Sequence, residues 1–384
     1  MSKYDMKLAF FTLFIALSAY NADAQSKKEI LYAGTYSVRG SEGIYVYQFD
    51  RAKRTLKKIQ TVPSLESPTY LTLSPSGKFL YAVNRGKANI SDNGGSVSAY
   101  AIDRKTGFLS GLNHRSSYGD MPCYISLDRS GKFAFICNYA KGNLVVLPIF
   151  EDGLLGIPAD AKKYSGSSIN STRQEEPHVH SATFSADNRF VYVCDLGTDK
   201  IYVYEFSADS GKLTPTPLSE VNVNPGSGPR HLTFHPNGNY AYLAEELTSS
   251  VCVFQVNKMT GDLTVMQDTV RALPSDYSGP NASADIHTDI KGNFLYMSNR
   301  GHNSISIFSI APDGRVVLVG QQLVDGKTPR NFLIESKGEF MFVANQDTDT
   351  IITYKINPKT GALTAVGKPV AIPSPACLKM STLP

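Results

Sequence analysis

Apolar and polar positions along the chain follow a pattern that recurs about every fifty residues, the period of a repeat architecture. Each copy opens on a proline or its equivalent, runs through a short apolar strand, turns at a polar step containing glycine, and enters a second apolar strand. "PTYLTLSPSGKFLYAVNR" begins at Pro68, "PCYISLDRSGKFAFICNY" at Pro122 and "PRHLTFHPNGNYAYLAEE" at Pro229. "SADIHTDIKGNFLYMSNR" begins at Ser283 and "PRNFLIESKGEFMFVANQ" at Pro329. In these five copies glycine falls nine residues after the first position, at Gly77, Gly131, Gly238, Gly292 and Gly338. An aromatic follows four residues later, at Tyr81, Phe135, Tyr242, Tyr296 and Phe342. A sixth copy, "PHVHSATFSADNRFVYVCDL" from Pro177, carries two extra residues near its start.

A third strand recurs seven times, from "GIYVYQF" (43–49) through "KIYVYEF" (200–206) to "TIITYKI" (350–356). These runs are apolar on both faces, as expected of a sheet covered on both sides. Turns such as "KTGFL" (105–109) and "MTGDL" (259–263) lead into a fourth strand. Four strands per unit with sheets stacked face to face predict an all-β chain, a seven-bladed β-propeller of four-stranded antiparallel blades. The repeat begins on a second strand, "ILYAGTY" (30–36), and finishes on a first strand, "PACLKMS" (375–381). The N-terminal strands and the C-terminal strand are therefore expected to share the closing blade, which removes the open edges of the ring.

Residues 1–24 lie outside this pattern. Lys3 and Lys7 precede the apolar run "LAFFTLFIALSAY" (8–20), and "ADA" (22–24) supplies small residues ahead of Gln25. The arrangement predicts a signal peptide over 1–24 and a single propeller domain over 25–384, periplasmic or secreted, with no membrane span once the leader is removed. The net charge of +4 is too mild to point to nucleic acid, and the one dense basic run, "RAKRTLKK" (51–58), reads as a solvated hairpin. Cys123, Cys137, Cys194, Cys252 and Cys377 are widely spaced, with no metal-binding framework, and are expected to be free thiols, mostly buried in strands. No cofactor is called for.

Comparison of equivalent positions within the chain isolates the candidate chemistry. Just after the leading proline the copies read Thr69, Cys123, His178, Arg230, Ala284 and Arg330. Four residues past the aromatic they read Arg85, Tyr139, Leu196, Glu246, Arg300 and Gln346. The position between, Asn84, Asn138, Asp195, Glu245, Asn299 and Asn345, behaves as scaffold. Arginine is always charged and presents a planar fork suited to a carboxylate, a phosphate or an oxyanion. A carboxylate among arginines stays ionised, and histidine is the natural acid–base partner near neutrality. His178-x-His180 points to alternate faces of a strand and has no evident third ligand for a metal. His231 and His287 lie within strand-like segments and read as structural in the first instance.

At these residues the chain resembles the seven-bladed β-propeller lactonases, the family of propeller-type 6-phosphogluconolactonase and the fungal carboxymuconate lactonizing enzyme. The pieces that carry the resemblance are "PHVHSATFS" (177–185), "GPRHLTFHPNG" (228–238), "YLAEELTSSVCVF" (242–254) and "LYMSNRGHNSISIF" (295–308). The resemblance implies a site at the channel mouth in which Glu246, Arg230, Arg300 and either His178 or His180, with preference for His180, carry catalysis. Arg85, Arg330, His231 and Asp285 are the candidates for substrate contact. Family members often carry Glu where this chain has Asp285, one methylene shorter, which weakens a role there. The implied reaction is hydrolysis of an anionic or polyhydroxylated sugar lactone. An exported binding propeller and a lactone-forming cycloisomerase are the rival readings.

Overall fold

The computed structural model describes residues 27–64, 66–86 and 94–384. The segment read as a signal peptide lies outside the described residues. Within them the strands form seven four-stranded antiparallel sheets arranged as blades. The innermost strands are Pro68–Leu73, Asp120–Leu127, Val179–Phe184, Pro229–Phe234, Ala282–Thr288, Pro329–Ile334 and Pro375–Leu383, taken below as blades 1 to 7. Blade 7 is built as expected from both chain ends. Its inner strand Pro375–Leu383 pairs antiparallel with Lys28–Thr35, with Leu31 opposite Met380 and Ala33 opposite Leu378.

The core lies between blades rather than within any one of them. Phe190, Tyr192, Ile201 and Val203 of blade 3 meet Leu232, Leu243, Cys252 and Phe254 of blade 4 in one buried cluster. The second and third strands of each blade are covered on both faces, which is why their sequences do not alternate. The fourth strands are largely solvent-facing; Thr55–Pro63 keeps Lys57 and Lys58 exposed, a charged edge that discourages pairing with other chains. The basic run at 51–58 is thus the expected hairpin, and Arg51 turns inward to Glu29 (2.5 Å) and Glu335 (2.6 Å). All five cysteines are buried and free.

The repeated aromatic has a second use. Tyr81, Tyr192, Tyr242, Tyr296 and Tyr32 each donate their hydroxyl to a turn glycine of the next blade, Gly153, Gly261, Gly314, Gly361 and Gly107, at 2.8–3.1 Å. Gly261 has φ +78°, and a Cβ there would lie 2.6 Å from Phe190, so this turn admits only glycine. The scaffold position also behaves as expected: Asn84 donates to Ser96 and Ser98 at 3.0 and 2.8 Å, and Asn299 to Ser304 and Ser306 at 3.2 and 2.8 Å. In these two blades the bonds tie the end of the second strand to the start of the third.

Closure of the ring rests on one strand pair. Deleting 375–384 leaves Lys28–Thr35 as an unpaired edge, and the shortened chain is expected to lose its cooperative thermal transition. A circular-dichroism melt matching that of the parent protein would contradict this.

Candidate active site

In every blade the pairing of the first two strands slips near the start of the inner strand, so that a residue bulges out of register. The bulged residues are Thr69, Cys123, His180, Arg230, Arg330 and Ala376, with Ala284 and Asp285 both out of register in blade 5. A bulge re-aims a side chain, and here it carries Arg230 to Glu246 and brings His180 beside Cys123. Counting from the leading proline placed His178 in this ring. Strand pairing corrects the assignment to His180, because the two extra residues precede the bulge.

A second ring comes from residues just past the second strands, at the same end of the blades. Glu246 stands there with its backbone fixed on both sides: its N–H donates to the Gly228 carbonyl (2.8 Å), and its carbonyl accepts from Ser283 (3.1 Å). Three guanidiniums converge on its carboxylate. Arg173 Nη2 donates to Oε1 at 2.6 Å, while Arg230 Nε and Arg300 Nη2 both reach Oε2 at 2.9 Å. The exposure of these side chains grades the clamp: 3% for Arg230, 15% for Arg300 and 39% for Arg173. Arg230 also donates to the Ala284 carbonyl (2.7 Å) and Arg300 to that of Ser283 (3.0 Å), so both forks are held by blade 5. Burial alone would raise the Glu246 carboxyl, but the fields of Arg300, Arg230 and Arg173 outweigh it and hold the group far below the usual carboxylate range.

The other side of the mouth is built on tyrosines. Arg85 donates to the Tyr36 hydroxyl (3.2 Å), and the Arg330 guanidinium lies 5.3 Å from the Tyr36 ring centroid. Arg85 also faces the ring of Tyr139 at 6.0 Å, and the Tyr139 hydroxyl accepts from Arg173 at 3.4 Å. Among the described residues five arginines therefore line the mouth, three of them on the Glu246 carboxylate.

The two histidines of "HVH" part company. His178 stacks flat on Tyr139 (centroids 4.3 Å apart, 8° between planes), and its Nδ1 pairs with the Tyr139 carbonyl at 3.0 Å. His180 lies deeper, edge-on to His231 (5.2 Å) and with Nδ1 3.9 Å from the Cys123 sulfur. Burial, Arg230, His231 and Arg330 all press the His180 imidazole well below its ordinary value, so it stays neutral. Burial pushes the Cys123 thiol up to about 11, which leaves no thiolate nucleophile at neutral pH. His231 and Asp285 form a layer beneath the arginines. The Asp285 carboxylate accepts from His231 (2.8 Å), His287 (3.0 Å) and Asn331, all three from the chain itself. Arg85 and Arg330, by contrast, stand at the mouth with the three arginines of the clamp.

A family profile described as a seven-bladed β-propeller lactonase matches residues 30–380. The chain belongs to that lactonase family. A 6-phosphogluconolactonase of Bacillus subtilis is 34% identical over 353 residues, covering 92% of this chain and 98% of that protein. A protein of Formosa agariphila with the same name is 32% identical over 357 residues, covering 92% and 99%. Among solved structures, a periplasmic gluconolactonase of Pseudomonas aeruginosa superposes with a TM-score of 0.87 at 32% identity, covering 93% of this chain and 100% of that one.

Two residues of this lactonase-family mouth escape the repeat comparison as applied to six copies. Tyr36 lies four past Tyr32, the aromatic of blade 7, so extending the rule to the split blade finds it. Arg173 sits in the loop before blade 3, outside any repeat position. That loop is pinned by buried Gln174, which donates to the Leu196 carbonyl (2.9 Å), and by Ser168, which donates to Asp199 (2.5 Å).

The buried imidazoles make a pH prediction. His231, held at about 4 chiefly by burial and then by Arg230, stays neutral in the fold while the unfolded chain takes up a proton near 6.5. The unfolded state thus binds more protons between these values, and stability is lost as pH falls from about 6.5 toward 4. By pH 4.5 His231 alone is expected to cost about 2 kcal/mol. Urea unfolding at pH 7 and 4.5 measures the loss, and His231→Asn should flatten the dependence; an unchanged slope in that variant would contradict the assignment.

Proposed function

We propose that this chain hydrolyses a sugar-derived, anionic or polyhydroxylated lactone at the arginine-lined mouth, by attack of water on the ring carbonyl. The observation that carries the reading is the charge of the mouth: Arg173, Arg230 and Arg300 share Glu246, while Arg85 and Arg330 stand beside Tyr36. Glu246 is shared by three of these guanidiniums, and Arg85 and Arg330 have no carboxylate partner among the described residues, so they leave a positive field for an anion or for charge developing in a transition state. Membership of the lactonase family supplies the reaction class. The names of the relatives, two 6-phosphogluconolactonases and a periplasmic gluconolactonase, support an aldonolactone.

Arg230 and Arg300, fixed by Glu246 and by blade 5 carbonyls, are placed to receive the oxyanion as the carbonyl carbon turns tetrahedral. Preorganised donors of this kind act without reorganising during the reaction. Glu246 holds the guanidiniums in position and can orient the attacking water through Oε1, which has Arg173 as its partner. Its basicity is low for the reason given above. His180 offers a neutral hydrogen-bonding group and stores no proton near pH 7.

The reading of residues 1–24 as a leader favours work outside the cytoplasm, in keeping with the periplasmic relative. An unphosphorylated aldonolactone fits that location better than the 6-phosphate.

Lactone opening releases a proton and is followed with a pH indicator, using glucono-δ-lactone beside its 6-phosphate. The wild-type chain is expected to accelerate opening of at least one. Arg300→Ala should lower kcat/KM by about 10²–10³, the usual cost of an oxyanion donor. Folded wild-type protein that leaves both lactones at their spontaneous rates would overturn the reading and favour a binding propeller.

A further inference from the structure

Lactone opening has to move a proton twice. Water gives one up as its oxygen bonds to the carbonyl carbon, and the ring oxygen needs one when the carbon–oxygen bond breaks. Neither Glu246 nor His180 suits that task. Glu246 has both oxygens engaged by guanidiniums, and His180 is buried among positive charges. Both are poor proton acceptors.

Tyr36 differs from them in place and in partners. It follows the paired strand Lys28–Thr35, and its backbone N–H donates to the Ser374 carbonyl (3.0 Å) while its own carbonyl accepts from Val38 (2.8 Å). That clamp aims the side chain into the mouth from blade 7. Its hydroxyl accepts from Arg85 of blade 1, Arg330 of blade 6 covers its ring, and Arg300 of blade 5 adds its charge. Arg300 reaches Glu246 as well, so it joins the two sides of the mouth. Among the described residues the charged groups facing the phenol are these three arginines, and the carboxylate that acts on Arg300 and Arg330 is Glu246. Phenylalanine would stack beneath Arg330 equally well; the hydroxyl is the part that stacking does not require.

We propose that Tyr36 is a catalytic residue, the proton carrier of lactone opening, placed by Arg85, Arg330 and Arg300 at the mouth. This rests on the lactonase reading above. As the phenolate, Tyr36 takes a proton from water while the water oxygen bonds to the carbonyl carbon and the carbonyl electrons move to the oxygen held by Arg230 and Arg300. When the oxyanion collapses, the bond to the ring oxygen breaks and its electron pair takes the same proton back from Tyr36. The phenolate is restored, and the new carboxylic acid loses its remaining proton to solvent. The titration of the residue agrees with this geometry. Burial alone would push the phenol up, yet Arg330, Arg85 and Arg300, together with the Arg85 hydrogen bond, bring it below the ordinary tyrosine value. Tyr139, across the mouth, is raised by burial despite Arg173.

The test compares wild type with Tyr36→Phe, which keeps the ring under Arg330. Two measurements are made: kcat/KM against pH on glucono-δ-lactone and its 6-phosphate, and tyrosinate absorbance against pH. Tyr36→Phe is expected to melt with the wild type, to lose at least about 100-fold in kcat/KM, and to lose the rise of kcat/KM with pH. The absorbance difference should show one tyrosine ionising below the free value in the wild type and absent from the variant. A folded variant within about threefold of wild type, or one with the same pH dependence, overturns the proposal. So does the absence of an early-ionising tyrosine. A wild type that opens neither lactone overturns the lactonase reading and this proposal together, even if the absorbance difference is present, so the two failures are told apart.

Discussion

Pairing of Lys28–Thr35 with Pro375–Leu383 is the constraint on which the rest of the molecule depends. It turns a row of blades into a ring, and a ring is what brings residues hundreds of positions apart to one mouth. Tyr36 sits one residue beyond that pair, between Arg330 of the preceding blade and Arg85 of the following one. Without closure neither contact exists. The same geometry gives every blade a bulge at the same height, so a single substitution in a repeat places a new group in the channel without disturbing its neighbours. A symmetric scaffold thus carries an asymmetric site.

The charge at the mouth is carried at a cost. Desolvation lowers the affinity of Arg230, Arg300 and Arg330 for their protons, and repulsion among them acts in the same direction. Glu246 opposes both effects, yet ion pairs this buried roughly break even against their loss of hydration. Stability must come from elsewhere: from the apolar faces between blades and from the five tyrosine–glycine tethers, each worth about 1 kcal/mol. The division is visible in the residues themselves. Tyrosines at the aromatic position serve the scaffold, whereas Tyr36 and Tyr139, four residues further on, serve the mouth.

The blade count, the shared closing blade and the scaffold row from Asn84 to Asn345 were all legible in the repeat, because a fixed register exposes what packing requires. So were Glu246, Arg230, Arg300, Arg85 and Arg330, since each departs from its equivalents. The choice between His178 and His180 was not legible as a channel position, because an insertion ahead of a bulge cannot be placed by counting; strand pairing decides it. Arg173 was hidden for a different reason. It reaches Glu246 from a loop whose path depends on Gln174 and Ser168, and loop paths carry no period. Asp285 is a candidate ligand contact by resemblance, and its partners His231, His287, Asn331 and the N–H groups of Ile286 and Phe332 show how fully a buried carboxylate can be occupied by its own chain.

The most direct test of the account is where a product binds. A crystal structure with 6-phosphogluconate or gluconate should show its carboxylate on Arg230 and Arg300, with its chain extending toward Arg85, Arg330 and Tyr36. The opposite rim offers a competing place, a cavity of about 470 Å³ lined by Ser76, Arg104, Glu335 and Ser381. Density for the product there, with the arginine mouth empty, would contradict the account.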